Sequence, residues 1–134
     1  MIDEYVKKWI IKALEDFKLV SNEMELPEEK IATSPVCFHC QQVVEKLLKA
    51  YLVFKNVNFG KTHDLKLLLK LCREKDSEFD KLKIGNLNFY SVQIRYPDEF
   101  YIPTIQETKE NYKITEEVKK FVLNKMGISE KDLK

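Results

Sequence analysis

The sequence has few residues that interrupt helices. Glycine appears three times and proline four times among 134 residues, and most of them fall between periodic segments. A sheet would require apolar side chains at every second position, and no segment sustains that alternation. These features predict long helices in one all-α domain that spans residues 1–134.

The sequence also lacks a run of the roughly 20 apolar residues that a membrane helix needs. Its first residues, Met1 to Tyr5, do not place a basic region before an apolar one, as an export signal does. We therefore expect a cytoplasmic protein with no membrane partner. The three cysteines are an odd set for such a chain, which argues against a disulfide framework.

Charge of one sign is not in excess. Lysine and arginine total 23 and acidic residues 22, which gives a net charge of +1. Bulk charge therefore supplies no long-range attraction to nucleic acid, and any such contact must be local. The lysines, Lys49 and Lys119 among them, are spread over several segments and are expected on solvated faces.

Apolar side chains recur at spacings of three and four in the first half of the chain. This pattern predicts an amphipathic helix over residues 3–22 and a longer one over residues 35–56, with Ser34 as its N-cap. A short third helix is predicted next, with Thr62 in the N-cap position before an acid in the first turn.

Two more helices are predicted in the second half. The first spans residues 78–95, although Gly85 and its neighbouring asparagines lower the helix propensity there. A loop over residues 96–103 follows, and the capping box of Thr104 and Glu107 begins a helix that runs to residue 126. The expected fold is an up-and-down bundle of four main helices plus a short extra helix, followed by a frayed tail.

The segment Cys37-Phe38-His39-Cys40 has the residue types of a metal or redox motif. A structural zinc site usually needs two such pairs on tight turns, whereas this single pair falls within a predicted helix. We therefore expect ordinary burial of the thiols, with no metal and no other cofactor.

Two histidines and one arginine are the candidates for chemistry. His39 and His63 have side chains that can exchange protons near neutral pH, and each can equally serve as a structural hydrogen-bonding group. Arg95 stands beside Tyr96 and a proline, where a guanidinium can bind a phosphate or pair with Asp98. Neither a glycine-rich phosphate loop nor a complete catalytic constellation can be identified.

Several motifs together resemble the HEPN family (higher eukaryote and prokaryote nucleotide-binding domains). The resemblance rests on the long helix from Cys37 to Leu52, on Lys61-Thr62-His63-Asp64-Leu65 and on Arg95-Tyr96-Pro97. The first predicted helix, with Trp9 and Ala13-Leu14-Glu15-Asp16, also fits. The resemblance covers nearly the whole chain.

The resemblance implies a helical bundle, usually dimeric, with a polar cleft. The residues expected to line this cleft are His39, Gln42, Glu45, Lys46 and Arg95. With His63, Asp64 and Tyr96 they form the set of candidate nucleotide- or phosphate-binding residues. Prokaryotic HEPN domains are often encoded beside a minimal nucleotidyltransferase, so the resemblance implies such a partner, with a nucleotide or RNA as ligand.

The resemblance also implies a test for RNA cleavage. Many HEPN toxins cleave RNA without a metal by means of an arginine that is followed after four to six residues by a histidine. Here Phe100 stands at the four-residue spacing from Arg95, and a phenyl ring cannot transfer a proton. Enzymatic activity is therefore left open. The first interpretation is a nucleotide- and partner-binding module of a toxin–antitoxin-like pair; the alternatives are an atypical ribonuclease and a helical scaffold without a ligand.

Overall fold

A computed structural model describes residues 3–91 and 101–133. It contains four α-helices: α1 (Glu4–Met24), α2 (Thr33–Phe54), α3 (Leu65–Lys75) and α4 (Ile105–Lys125). Shorter 3₁₀ helices span Glu28–Lys30, Ser77–Lys81, Leu87–Ser91 and Glu130–Leu133. No strand occurs in these two stretches, and the predicted all-α class is confirmed.

The central element is α2, which packs against α1, α3 and α4. It runs antiparallel to α1, because Glu23 contacts Ala32 at one end while Trp9 contacts Lys49 at the other. It runs in the same direction as α4, since Cys37 meets Thr108 near the start of both helices. Three sides of α2 are covered in this way, and most of its side chains are buried.

The core is continuous from one end of the bundle to the other. It joins the buried apolar faces of all four α-helices. At the C-terminal end of α2 the Tyr51 and Phe79 rings lie 4.5 Å apart, and Phe121 of α4 meets Phe79 edge to face at 5.0 Å. Burial of three aromatic rings anchors the segment after α3 on the bundle.

The predicted helix over residues 78–95 is wrong for the part that the structure describes. Two 3₁₀ helices, Ser77–Lys81 and Leu87–Ser91, stand there in place of one α-helix. Gly85 between them has a φ of +53°, a left-handed conformation that an α-helix does not contain. A Cβ at this position would lie 3.0 Å from Cδ1 of Ile114, so α4 also requires the glycine.

The ends of the helices correct three further expectations. The N-cap of α2 is Ala32, not Ser34, and its backbone N–H donates to Oε2 of Glu23 at 2.8 Å. The N-cap of α3 is Asp64, not Thr62, because the Asp64 carboxylate accepts from the N–H of Lys66. The expected frayed tail instead forms the 3₁₀ helix Glu130–Leu133, which is tied to α4 by an ion pair between Glu130 and Lys119.

Other boundaries are confirmed. The capping box of Thr104 and Glu107 begins α4, and Gly127, at a φ of +64°, follows its C-cap. None of the helices within the described part of the chain combines the length and the apolar character of a membrane span.

Candidate functional site

Three of the five residues predicted to line a cleft, namely His39, Gln42 and Lys46, stand on the narrow part of α2 that reaches solvent. Between Val36 and Leu52, every residue of α2 is buried except Phe38, His39, Gln42 and Lys46. The spacing of three and four residues places these side chains along one line of the helix. We refer to His39, Gln42 and Lys46 as the polar strip.

A carboxylate of α1 orients two members of the polar strip. Oδ1 of Asp16 lies 3.1 Å from Nδ1 of His39, and Oδ2 accepts from Nζ of Lys46 at 2.5 Å. The Asp16 side chain is only 15% exposed, so both contacts are shielded from water. Since Nδ1 binds the carboxylate, Nε2 is the ring nitrogen of His39 that a ligand can reach; among the described residues it has no partner.

A second carboxylate, from α2 itself, orients the other histidine. Glu45 is buried, and its two oxygens lie 3.2 and 3.1 Å from Nδ1 of His63. Its Oε2 accepts from Nζ of Lys49 and its Oε1 from the amide of Gln41, each at 3.1 Å. The His63 side chain is 61% exposed, so this buried carboxylate holds a ring that faces solvent.

The side-chain amides connect the polar strip to the second carboxylate. Nε2 of Gln42 donates to Oε1 of Gln41 at 2.7 Å, and Nε2 of Gln41 is shared between Glu45 and the carbonyl of His63. Because Gln41 is buried with its amide engaged, it fixes the direction of the half-buried Gln42 amide.

Lys49 is held in an enclosure of aromatic rings. Its Nζ lies 5.5 Å from the Trp9 ring and 5.6 Å from the Phe59 ring, which meet each other edge to face at 6.2 Å. With only 6% of the residue exposed, the expected solvated position of Lys49 is wrong. Among the residues that the structure describes, the buried indole N–H of Trp9 has no hydrogen-bond partner.

One comparison with known proteins assigns the chain to a family. The model of the HEPN domain family matches residues 6–126, which is nearly the whole chain. The chain belongs to the HEPN domain family. No curated protein and no solved structure matches it significantly.

Two candidate residues of this HEPN domain, Arg95 and Tyr96, lie outside the described residues, as does Phe100. The structure brings the candidates His39, Gln42, Glu45, Lys46 and His63 into the two linked clusters described above. Asp64 is exposed, and its Oδ1 accepts from the N–H of Lys66 and from Nδ2 of Asn88. These contacts cap α3 and join it to the 3₁₀ helix Leu87–Ser91.

Sequence reasoning did not select Asp16, Gln41 or Lys49 as site residues. A signal for Asp16 was present, because it stands three residues after Ala13 and four before Val20, on the buried face of α1. Gln41, Glu45 and Lys49 follow one another at a spacing of four, which predicts contact along a helix. Their burial depends on α1 and the loop with Phe59, and helical spacing alone does not predict that.

The cysteines of the HEPN domain are buried as predicted. Desolvation raises the pKa of Cys40 and of Cys72 to about 12, so both remain thiols at neutral pH. Burial also raises the pKa of Cys37, which accepts from Nδ2 of Asn111 at 3.2 Å. No group of three side chains suited to a metal ion occurs within residues 3–91 and 101–133.

Proposed function

We propose that this HEPN domain is a nucleotide- and partner-binding module that acts beside a minimal nucleotidyltransferase in a toxin–antitoxin-like pair in the cytoplasm. Membership of the HEPN family supports the assignment to this functional class. The observation that supports nucleotide binding is the polar strip together with His63, since two carboxylates orient Lys46 and both histidine rings there.

Phosphate is the part of a nucleotide that this surface suits best. Lys46 supplies a positive charge on a side chain that is 23% exposed, and Gln42 supplies an amide donor. Each histidine presents the edge of its ring with Nε2, which donates to phosphate when the imidazole is protonated. In this proposal Arg95, which lies outside the described residues, adds a bidentate contact.

The nucleotide would lie on the surface of the bundle. The cavity beside His39, which is also lined by Leu19, Val20 and Glu23, measures about 110 Å³. Small-molecule sites usually enclose about 300 Å³ or more, so this cavity accepts only part of a ligand. We therefore expect modest affinity for a free nucleotide and tighter binding when a partner covers the strip.

Melting temperatures test nucleotide binding, because a ligand that binds only the folded state raises this temperature. ATP, GTP and a short RNA are compared for the natural protein, Lys46→Met and Arg95→Ala. A rise in the natural protein that is lost in both variants supports the proposal. Lys12→Met is the matched control, because that lysine is 70% exposed on α1 and lies outside both clusters.

An equal rise in all variants would place the nucleotide elsewhere on the chain and contradict the proposed site. If no ligand raises the melting temperature, the remaining interpretations are partner binding without a nucleotide and a helical scaffold without a ligand.

The partner is tested separately by size-exclusion chromatography of the purified chain with and without a minimal nucleotidyltransferase from the same source. The proposal expects a homodimer alone and a larger complex with the partner. A monomer that does not change its elution volume in the presence of the partner would remove the argument for pairing.

A specific observation also supports the ribonuclease alternative. Asp16 and Glu45 each bind Nδ1 of a histidine, and neither Nε2 has a hydrogen-bond partner among the described residues, the arrangement by which a carboxylate prepares an imidazole for proton transfer. This alternative predicts RNA cleavage in excess EDTA that disappears in Arg95→Ala and in His39→Ala or His63→Ala. Cleavage that persists in all three variants would identify a contaminant.

A further inference from the structure

A second surface feature lies where α4 begins, and it shares no residue with the polar strip. The rings of Phe89, Tyr90 and Tyr101 surround the carboxylate of Glu107 and form what we call the aromatic cage. Together with Asn86 they line a cavity of about 330 Å³. This volume is ample for one extended side chain.

The rings of the cage present faces in different directions. Phe89 lies at 88° to Tyr90, with centroids 5.2 Å apart, and at 88° to Tyr101, with centroids 5.7 Å apart. Phe89 and Tyr101 are 41% and 40% exposed, whereas Tyr90 is fully buried. A cation is attracted to the exposed face of an aromatic ring when it lies within about 6 Å of the ring centroid, and Phe89 and Tyr101 offer such rings beside the cavity.

Glu107 supplies the negative charge of the cage. Its Oε2 accepts from the Tyr90 hydroxyl at 2.9 Å, while Oε1 accepts from the Tyr101 hydroxyl and from the N–H of Thr104. The hydrogen bond from Tyr101 lowers the pKa of Glu107, so the carboxylate is ionised at neutral pH. The same bond raises the pKa of Tyr101, which keeps this hydroxyl protonated.

The number of hydrogen bonds that Glu107 already accepts selects among cations. A carboxylate offers about four lone-pair positions, and three of them are occupied by Tyr90, Tyr101 and Thr104. One position on Oε2 remains among the described contacts. A single donor satisfies it, which suits the compact ammonium of lysine better than the two parallel donors of an arginine.

We propose that the aromatic cage binds the ammonium group of a lysine side chain from a partner polypeptide. The apolar stem of the lysine would lie against Phe89 and Tyr101, and one N–H would donate to Glu107. Phe89 and Tyr101 stay two-fifths exposed, so a lysine side chain carried by a polypeptide can reach the cage from solvent.

The test is an NMR titration of the ring protons of Phe89 and Tyr101 with Nα-acetyl-lysine methylamide. Nα-acetyl-norleucine methylamide serves as the uncharged probe of the same stem. We expect saturable shifts with the lysine compound and none with the norleucine compound. In Glu107→Gln the affinity for the lysine compound should fall about fivefold, because the ammonium group loses its ion pair with the carboxylate.

Glu107→Gln keeps the capping box, since glutamine serves in that position, and its helicity checks the fold. Glu117→Gln, an exposed acid of the same helix, is the matched control and should bind as the natural protein does. If Glu107→Gln does not fold, Phe89→Leu removes an exposed ring face and should weaken binding instead. The proposal is overturned if both probes cause equal shifts or if neither causes a shift up to its solubility limit. It is also overturned if these variants bind the lysine compound as tightly as the natural protein does.

Discussion

At the scale of single residues, burial separates the ion pairs of this protein into two kinds. The side chains of Glu45 and Lys49 are 5% and 7% exposed, whereas those of Lys12 and Glu15 are 70% and 68% exposed. Removing one partner of a buried pair leaves an uncompensated charge, but an exposed charge is solvated by water. Removing one partner should therefore cost more stability in the buried pair than in the exposed pair.

Lys49→Met should accordingly lower the free energy of unfolding by about 3 kcal/mol, as does removal of one partner from other buried pairs. Adding Glu45→Gln should recover part of that loss, because no buried charge then remains. Urea denaturation of both single variants and the double variant measures the coupling. Lys12→Met is the control and should change the stability by less than about 0.5 kcal/mol. A similar small change for Lys49→Met would show that Glu45 and Lys49 are not a buried pair.

At the scale of elements, the helix starts differ in how they are capped. The Thr104 hydroxyl accepts from the N–H of Glu107 at 3.1 Å, while the Ser34 hydroxyl caps nothing at the start of α2. Thr104→Ala should therefore cost about 1 kcal/mol of stability, since an exposed orphan amide loses its partner. Ser34→Ala should stay within about 0.5 kcal/mol. Thermal or urea denaturation of both variants measures the difference, and equal costs would contradict this account of capping.

The elements also show which parts of the fold local sequence can predict. The α1 and α4 bounds follow from apolar periodicity and from the capping box, which are properties of neighbouring residues. Around Gly85, the glycine and its neighbouring asparagines are a local signal against an α-helix, but the close approach of Ile114, 29 positions away in sequence, has none. The cap at Ala32 was missed because Glu23 of α1 holds that turn, whereas the cap at Asp64 is a local contact with Lys66 that the sequence analysis assigned to Thr62 instead.

In the candidate site too, the sequence predicts some residues and tertiary contacts determine the others. The resemblance to the HEPN family selected His39, Gln42, Glu45 and Lys46, and the structure places them in connected clusters. Asp16 and Lys49 complete those clusters through contacts between α1, α2 and the loop with Phe59. Tertiary packing decides such contacts, so a reading of each helix by itself did not find them.

At the scale of the whole molecule, the end of α4 is fastened to the segment after α3 by charge. Nζ of Lys125 donates to Oδ2 of Asp76 at 2.9 Å and also binds Glu78. The hydrogen bond with Lys125 is the main cause that lowers the pKa of Asp76 and of Glu78. Conversely, the bonds to Glu78 and Asp76 raise the pKa of Lys125.

The direction of these shifts sets the pH dependence of stability. A carboxylate with a lowered pKa stabilises the fold above its ordinary value, here 3.8 for Asp76 and 4.5 for Glu78, and this contribution is lost as the pH falls below them. The raised pKa of Lys125 stabilises the fold at pH values below 10.5, and this contribution is lost only as the pH rises above 10.5. The melting temperature should therefore fall less steeply in acid for Lys125→Met than for the natural protein. Parallel curves for the two proteins would contradict the contribution of this contact.

In the proposed function, Asp16 and Glu45 orient two histidine rings toward a nucleotide bound beside the polar strip. Because the chain has two histidines, ring ¹⁵N NMR resolves both, and the neutral rings should carry their proton on Nδ1. Titration with ATP should shift Nε2 of His39 and His63 along one saturation curve, and Lys46→Met should weaken that binding. If ATP raises the melting temperature while both Nε2 signals stay unchanged, the nucleotide does not bind at the two histidine rings.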